Sequence, residues 1–107
     1  MKEPMKLTAK CPIRTTLEML GGKWRLLIIS AIGGGVHRFG ELKRHIPDIS
    51  EKMLSQELKV LVDNDLLVRK NFGEVPPRVE YSLTEKGEMA SSLIGPIRDF
   101  GLQYMEK

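Results

Sequence analysis

The chain has 107 residues, 17 of them lysine or arginine and 14 aspartate or glutamate, which leaves a net charge of +3 at neutral pH. With 41% apolar and 29% charged residues, it has the balance of one globular domain over residues 1–107, not of a disordered segment. The mild basic surplus is compatible with a polyanionic partner without demanding one, so a basic footprint has to come from local placement.

The longest apolar run, residues 26–32, is broken by Ser30 and is far too short to cross a bilayer. Residues 1–10 are charged and lack an apolar centre, so no secretory leader is expected. One cysteine cannot close an intrachain disulfide, and two histidines far apart in sequence build no metal site. These features predict an intracellular protein with no membrane partner, cofactor or metal.

After Cys11-Pro12, apolar residues at Ile13, Leu17 and Leu20 predict a helix over residues 12–20, with Pro12 in its first turn and Gly21-Gly22 ending it. A second helix is expected over 23–32, with Trp24, Leu27, Ile28 and Ala31 on one face and Gly33-Gly34-Gly35 as its stop. Residues 36–39 read as a very short strand and 39–45 as a two-turn helix closed by Pro47. Ser50 is placed to cap the next helix, over 50–64, whose Leu54, Leu58, Leu61 and Val62 form a core stripe.

The period then shortens. Residues 66–72 and 79–83 read as strands joined by a proline-bearing loop, giving a hairpin over 68–83. Thr84 caps a last helix over 84–106 that carries Met89, Leu93, Ile97, Phe100 and Tyr104 on one stripe, with Gly95-Pro96 expected to bend or interrupt it. The fold class is therefore mainly α with a small β-hairpin, in the order α-α-β-α-α-β-β-α.

A short helix, a tight turn, a longer amphipathic helix and a hairpin follow the plan of a winged helix-turn-helix. At about 100° per residue, Lys52, Gln56 and Lys59 lie opposite Leu54, with Ser55 at the edge of that arc and Glu51 and Glu57 off it. Such a face offers donors and acceptors for base edges and phosphates, although a polar outer face can equally be just solvated. The turn before it and the hairpin after it favour insertion into the major groove of duplex DNA. The expected DNA-binding residues are Arg38, Lys43, Ser50, Lys52, Met53, Ser55, Gln56, Lys59, Arg69, Lys70 and Arg78. Arg38, Lys43 and Arg44 flank the turn, while Pro76-Pro77 aim Arg78 toward a phosphate or a narrow minor groove and Glu74 offsets part of its charge.

Four blocks then point to a family: Gly21-Gly22-Lys23-Trp24; Arg38-Phe39-x-Glu41-Leu42; Ile49-Ser50-x-Lys52-Met53-Leu54; and the unbroken stretch from Val75-Pro76-Pro77-Arg78-Val79 to Glu80-Tyr81-Ser82-Leu83-Thr84. Together, from Cys11 to about Tyr104, they resemble the HxlR-type transcriptional regulators, relatives of the MarR winged-helix proteins. The resemblance implies a prokaryotic, cytoplasmic, nucleoid-associated homodimer that reads a pseudo-palindromic operator and pairs through its first and last helices. Three departures stand out: Phe100 replaces a tryptophan of the last helix, Asn64-Asp65 replaces an Asp-Gly after the recognition helix, and the chain stops soon after Tyr104, leaving less interface than longer relatives have.

A domain this small has too little interior for both terminal stripes. Ile13, Leu17, Leu20, Met89, Leu93, Ile97, Phe100 and Tyr104 are accordingly the expected dimer interface, the alternative being that the two helices pack within one chain. Cys11 precedes a helix N-terminus with Lys10 and Arg14 nearby, which favours thiolate, and some members of the resembled family sense electrophiles or oxidants through an N-terminal cysteine. It is the candidate redox sensor, for a small electrophile or oxidant. The competing reading is a small buried hydrophobe. Trp24 reads as a core anchor, His37 and His45 as isolated surface or groove-side residues, and the six methionines as core filler. No paired nucleophile and base, metal cluster or nucleotide loop points to an enzyme. The other class is a winged-helix protein–protein module, which usually loses the basic groove face that Lys52, Lys59, Arg69 and Arg78 keep here.

Overall fold

In a computed structural model of the chain, residues 6–8 and 10–106 are described. The expectation of no secretory leader falls mostly on residues outside that set. Cys11 caps the first helix, α1 (Pro12–Leu20), its Sγ accepting the Arg14 N–H at 3.3 Å, with Pro12 at a position where its missing N–H costs nothing. Gly22, at φ 92°, turns the chain into α2 (Arg25–Ile32). This helix starts two residues later than the sequence pattern predicts, because Trp24 serves as its cap residue.

The short strand expected at 36–39 is reduced to a single bridge. His37 N–H donates to Tyr81 O at 3.0 Å and Tyr81 N–H to His37 O at 2.8 Å. Helix α3 (Phe39–His45) follows, opened by a hydrogen bond from Arg38 N–H to Glu41 Oε1 at 2.8 Å. Helix α4 (Glu51–Asp63) is capped as expected, Ser50 Oγ accepting the Met53 N–H at 3.0 Å. At its end Asp65, and not Asn64, takes the left-handed conformation, at φ 61°. The Asn64 amide turns back instead, donating to Val60 O at 2.9 Å.

Strands β1 (Leu67–Asn71) and β2 (Val79–Leu83) form the antiparallel hairpin, in a register that sets Arg69 opposite Tyr81 and Lys70 opposite Glu80. The last predicted helix is two helices, α5 (Glu85–Ser91) and α6 (Ile94–Tyr104). The break falls at Ser92-Leu93, not at Gly95-Pro96. Pro96 is the third residue of α6, within the first turn, whose N–H groups have no intrahelical acceptor, so the proline is tolerated there.

The core is one cluster in which Ile28, Ile29 and Ile32 of α2 meet Leu42 of α3, Leu54, Leu58 and Leu61 of α4, and Leu66, Leu67 and Tyr81 of the hairpin region. Burying each of these large aliphatic side chains contributes roughly 1.5–3 kcal/mol. Leu20 also lies in this core, 6% exposed, and therefore leaves the set of expected dimer residues. Ile13, Leu17, Met89, Leu93, Ile97, Phe100 and Tyr104 are all exposed, and α6 buries none of its side chains. Among the described residues, no helix is long and apolar enough to cross a membrane.

Candidate nucleic-acid interface

Helix α4 sits on the core through Leu54, Leu58 and Leu61, so the opposite side of the same helix has to face outward. Lys52, Ser55, Gln56 and Lys59 are exposed there, and Met53 is 36% exposed beside them. Glu57, on the flank, is turned inward: Arg25 Nε of α2 donates to its Oε2 at 3.0 Å. The ion pair thus holds Glu57 beside the core stripe, off the outer face of α4. Ser50 is spent as the cap, and the Lys59 ammonium pairs with Asp63 at 3.0 Å in an exposed i,i+4 bridge.

Before α4, Lys43 Nζ donates to Pro47 O at 3.0 Å and so closes the turn between α3 and α4. Arg38 and Arg44 are exposed on α3 and its cap. The Arg38 N–H holds the Glu41 carboxyl below its ordinary value, with desolvation opposing it and the nearby charges of His37, Arg44 and Arg38 adding to the effect.

The hairpin divides its cations between two faces. Because side chains alternate along a strand, Arg69 and its cross-strand neighbour Tyr81 share the face turned to α4, whereas Lys70 and Phe72 share the other. Lys70 Nζ lies 4.6 Å and the Arg78 guanidinium 3.5 Å from the centre of the Phe72 ring, and Arg78 Nη2 is 3.2 Å from Glu74 Oε1. Arg78 is therefore folded back on its own wing, with Nε buried and without a hydrogen-bond partner among the described residues, and does not reach outward from the loop as the proline pair suggests. Val75 of the wing loop is 97% exposed.

Two relationships escape sequence reasoning. His37 and His45 are not isolated: their rings meet edge to face, 5.8 Å between centres. Arg25 bridges three helices, since its Nη1 also donates to Glu18 O at 2.8 Å at the end of α1. The only sequence trace of the latter is that Glu57 lies beside the core stripe of α4, off the basic arc.

Cys11 is 5% exposed beneath an apolar surface groove of about 360 Å³ that it shares with Leu7, Ile13, Arg14 and Leu17. A second open groove, of about 290 Å³, separates α4 from the hairpin and is lined by Ser55, Leu58, Lys59, Val62, Arg69 and Tyr81.

A short helix, a tight turn, a capped longer helix with an outward polar face, and a hairpin beside it together define a winged helix-turn-helix protein. The chain belongs to the HxlR-like helix-turn-helix family, which matches it over residues 19–107, and is a transcriptional regulator of helix-turn-helix type. It is 46% identical over 93 residues to MalR of Fusobacterium mortiferum, a protein named as regulatory, with 86% of this chain and 88% of that one covered. Among solved structures, a MarR-family protein of Porphyromonas gingivalis W83 is 47% identical at a TM-score of 0.90, over 95% of this chain and 100% of that one. The redox regulator HypR in its oxidised form is 33% identical at a TM-score of 0.83, over 91% of this chain and 100% of that one.

Proposed function

We propose that the protein binds duplex DNA sequence-specifically as a homodimer, placing α4 in the major groove at each half of a pseudo-palindromic operator. The observation that carries this reading is the outer face of α4. Lys52, Ser55, Gln56 and Lys59 are exposed on it together while Glu57 is drawn away by Arg25. Gln56 and Lys52 suit base edges, Gln56 through a bidentate pair of hydrogen bonds to adenine and Lys52 through guanine acceptors. Arg38, Lys43 and Arg44 stand where the DNA backbone passes, and supply positioning without sequence preference.

The dimer is supported by the apolar side chains that α1 and α6 leave in water: Ile13, Leu17, Ile97, Phe100 and Tyr104, with Met89 and Leu93 beside them. A single recognition helix reads only a few base pairs, and two-fold pairing multiplies that specificity. A response to oxidants or small electrophiles at Cys11 is supported by the likeness to HypR, named a redox regulator, and by the place of the thiol as the cap of α1.

The deciding experiment measures affinity for a duplex selected from a random pool by the protein itself, across a salt series. Affinity falls steeply between low and physiological salt as counterions are released. Gln56→Ala lowers affinity for the selected duplex more than for random DNA. A salt-insensitive affinity, or an equal loss on both duplexes, overturns the reading.

A further inference from the structure

We infer that the groove between α4 and the hairpin is a seat for one DNA backbone phosphate, with Arg69 as its anchor; this rests on the DNA-binding reading and assigns one contact within it. Two cations from different elements converge on the groove, Lys59 from α4 and Arg69 from β1, together with the hydroxyls of Ser55 and Tyr81. Among the described residues, neither hydroxyl is spent on a hydrogen bond and Arg69 has no carboxylate partner. The floor is Leu58, fully buried, and Val62, half-buried.

This donor set suits a phosphodiester. The guanidinium of Arg69 presents a planar fork that fits two non-bridging oxygens at once, Lys59 adds a point charge, and the hydroxyls donate to the remaining lone pairs. Tyr81 is a rigid support, because its ring is buried and both its backbone N–H and its carbonyl are hydrogen-bonded to His37. Lys59 is held by Asp63 in the free protein, but that pair is exposed and readily exchanged for a phosphate. The other wing cations do not serve this seat. Lys70 and Arg78 lie on the opposite face of the hairpin, stacked on Phe72, with Arg78 paired to Glu74.

The test is fluorescence anisotropy on the selected duplex and on a random one from about 50 to 200 mM salt, a range over which phosphate contacts are resolved by the slope of log affinity against log salt. Arg69→Gln is expected to make that slope shallower by about one per half-site and to lower affinity on both duplexes alike. Arg69→Lys, which keeps the charge and loses the fork, keeps the slope and binds less tightly. Tyr81→Phe retains the buried ring and loses several-fold in affinity at unchanged slope, while Asp63→Asn binds more tightly than wild type. Arg78→Gln leaves the slope where it is. An unchanged slope in Arg69→Gln, or the slope loss appearing in Arg78→Gln instead, overturns the seat while leaving the regulator reading intact. Failure of the wild-type protein to bind any duplex overturns both. Inorganic phosphate titrated without DNA distinguishes the source: saturable binding at Arg69 that the duplex does not displace assigns the groove to a free anion and overturns the backbone phosphate.

Discussion

Arg25 Nε donates to Glu57 Oε2 at 3.0 Å while its Nη1 donates to Glu18 O at 2.8 Å, so one guanidinium ties the end of α1 and the start of α2 to the middle of α4. The two side chains are 21% and 17% exposed, between the open surface pairs that contribute almost nothing and the dry pairs whose breakage is severe. Arg25→Ala is expected to cost about 2 kcal/mol in urea unfolding, because it leaves Glu57 half-buried and the α1 carbonyls without a donor. Duplex affinity should fall with it, since Glu57 is freed to swing toward the DNA-facing side. Unchanged stability would show that the pair is an ornament of the surface.

Two glycines in the C-terminal helices separate close packing from mere flexibility. A Cβ on Gly87 in α5 would collide with the carbonyl oxygen of Leu66 at the approach to β1, whereas one on Gly95 in α6 would meet nothing within 4 Å. Gly87→Ala should therefore destabilise by about 1–3 kcal/mol, the range for overpacking, with backbone as the obstacle. Gly95→Ala should stabilise by up to about 1 kcal/mol through better helix propensity and a less mobile unfolded chain. Thermal or urea melts of the two variants must move in opposite directions.

How much of this was legible in the sequence depends on the range of the interaction. Ser50 as a cap, the Leu54-Leu58-Leu61 stripe and the hairpin are set by residues a few positions apart, and local pattern finds them. The exposed face carrying Lys52 and Gln56 followed from the same periodicity. A stripe shows which residues share a face, not which partner covers it, so it puts Leu20 with the dimer residues when the core covers it. The effect of Pro96 depends on its distance from the start of a helix, which tertiary packing sets at Leu93, so the sequence pattern shows a breaker where the fold has a first-turn proline. The partners of Arg78, Phe72 and Glu74, become neighbours only once the loop has folded back, so the proline pair alone suggests an outward arm. His37 precedes α3 and His45 ends it, and the meeting of their rings is a contact that no periodicity describes.

Leu20 and the exposed stripe predict opposite phenotypes. Leu20→Ala removes a buried side chain from the core of its own chain and should cost about 2–5 kcal/mol without changing oligomeric state below the melting transition. Ile97→Glu and Phe100→Glu place charge on the exposed α6 face, should leave the chain folded, and should convert the proposed dimer to monomer in light scattering. A folded Ile97→Glu dimer would move the interface away from α6.

Glu41 gives a pH dependence whose sign is fixed. The hydrogen bond from the Arg38 N–H lowers its folded value below the ordinary carboxylate range, so the carboxylate form stabilises the start of α3. That contribution is fully present above the unfolded value and is lost as pH falls through the folded one. Glu41→Gln removes the titration, so its urea midpoint should fall less than that of wild type between about pH 5 and pH 2. Parallel curves would mean that the Arg38–Glu41 bond adds nothing to the folded state.

Cys11 poses an accessibility problem for the proposed oxidant response. Its thiol is 5% exposed and accepts the Arg14 N–H in the first turn of α1, so an electrophile reaches it only when the end of that helix opens. A bulky maleimide should accordingly react far more slowly with the folded protein than with the urea-unfolded chain, and the folded rate should rise when Arg14→Pro removes the N–H that the sulfur accepts. Modification would add a polar or bulky group at the cap and displace α1, whose exposed Ile13 and Leu17 belong to the proposed dimer surface. Cys11→Ser keeps a capping oxygen in place of sulfur and should retain both fold and duplex affinity. Diamide should then weaken DNA binding in the wild-type protein and leave Cys11→Ser unaffected. A response that survives the substitution would assign this thiol to packing alone.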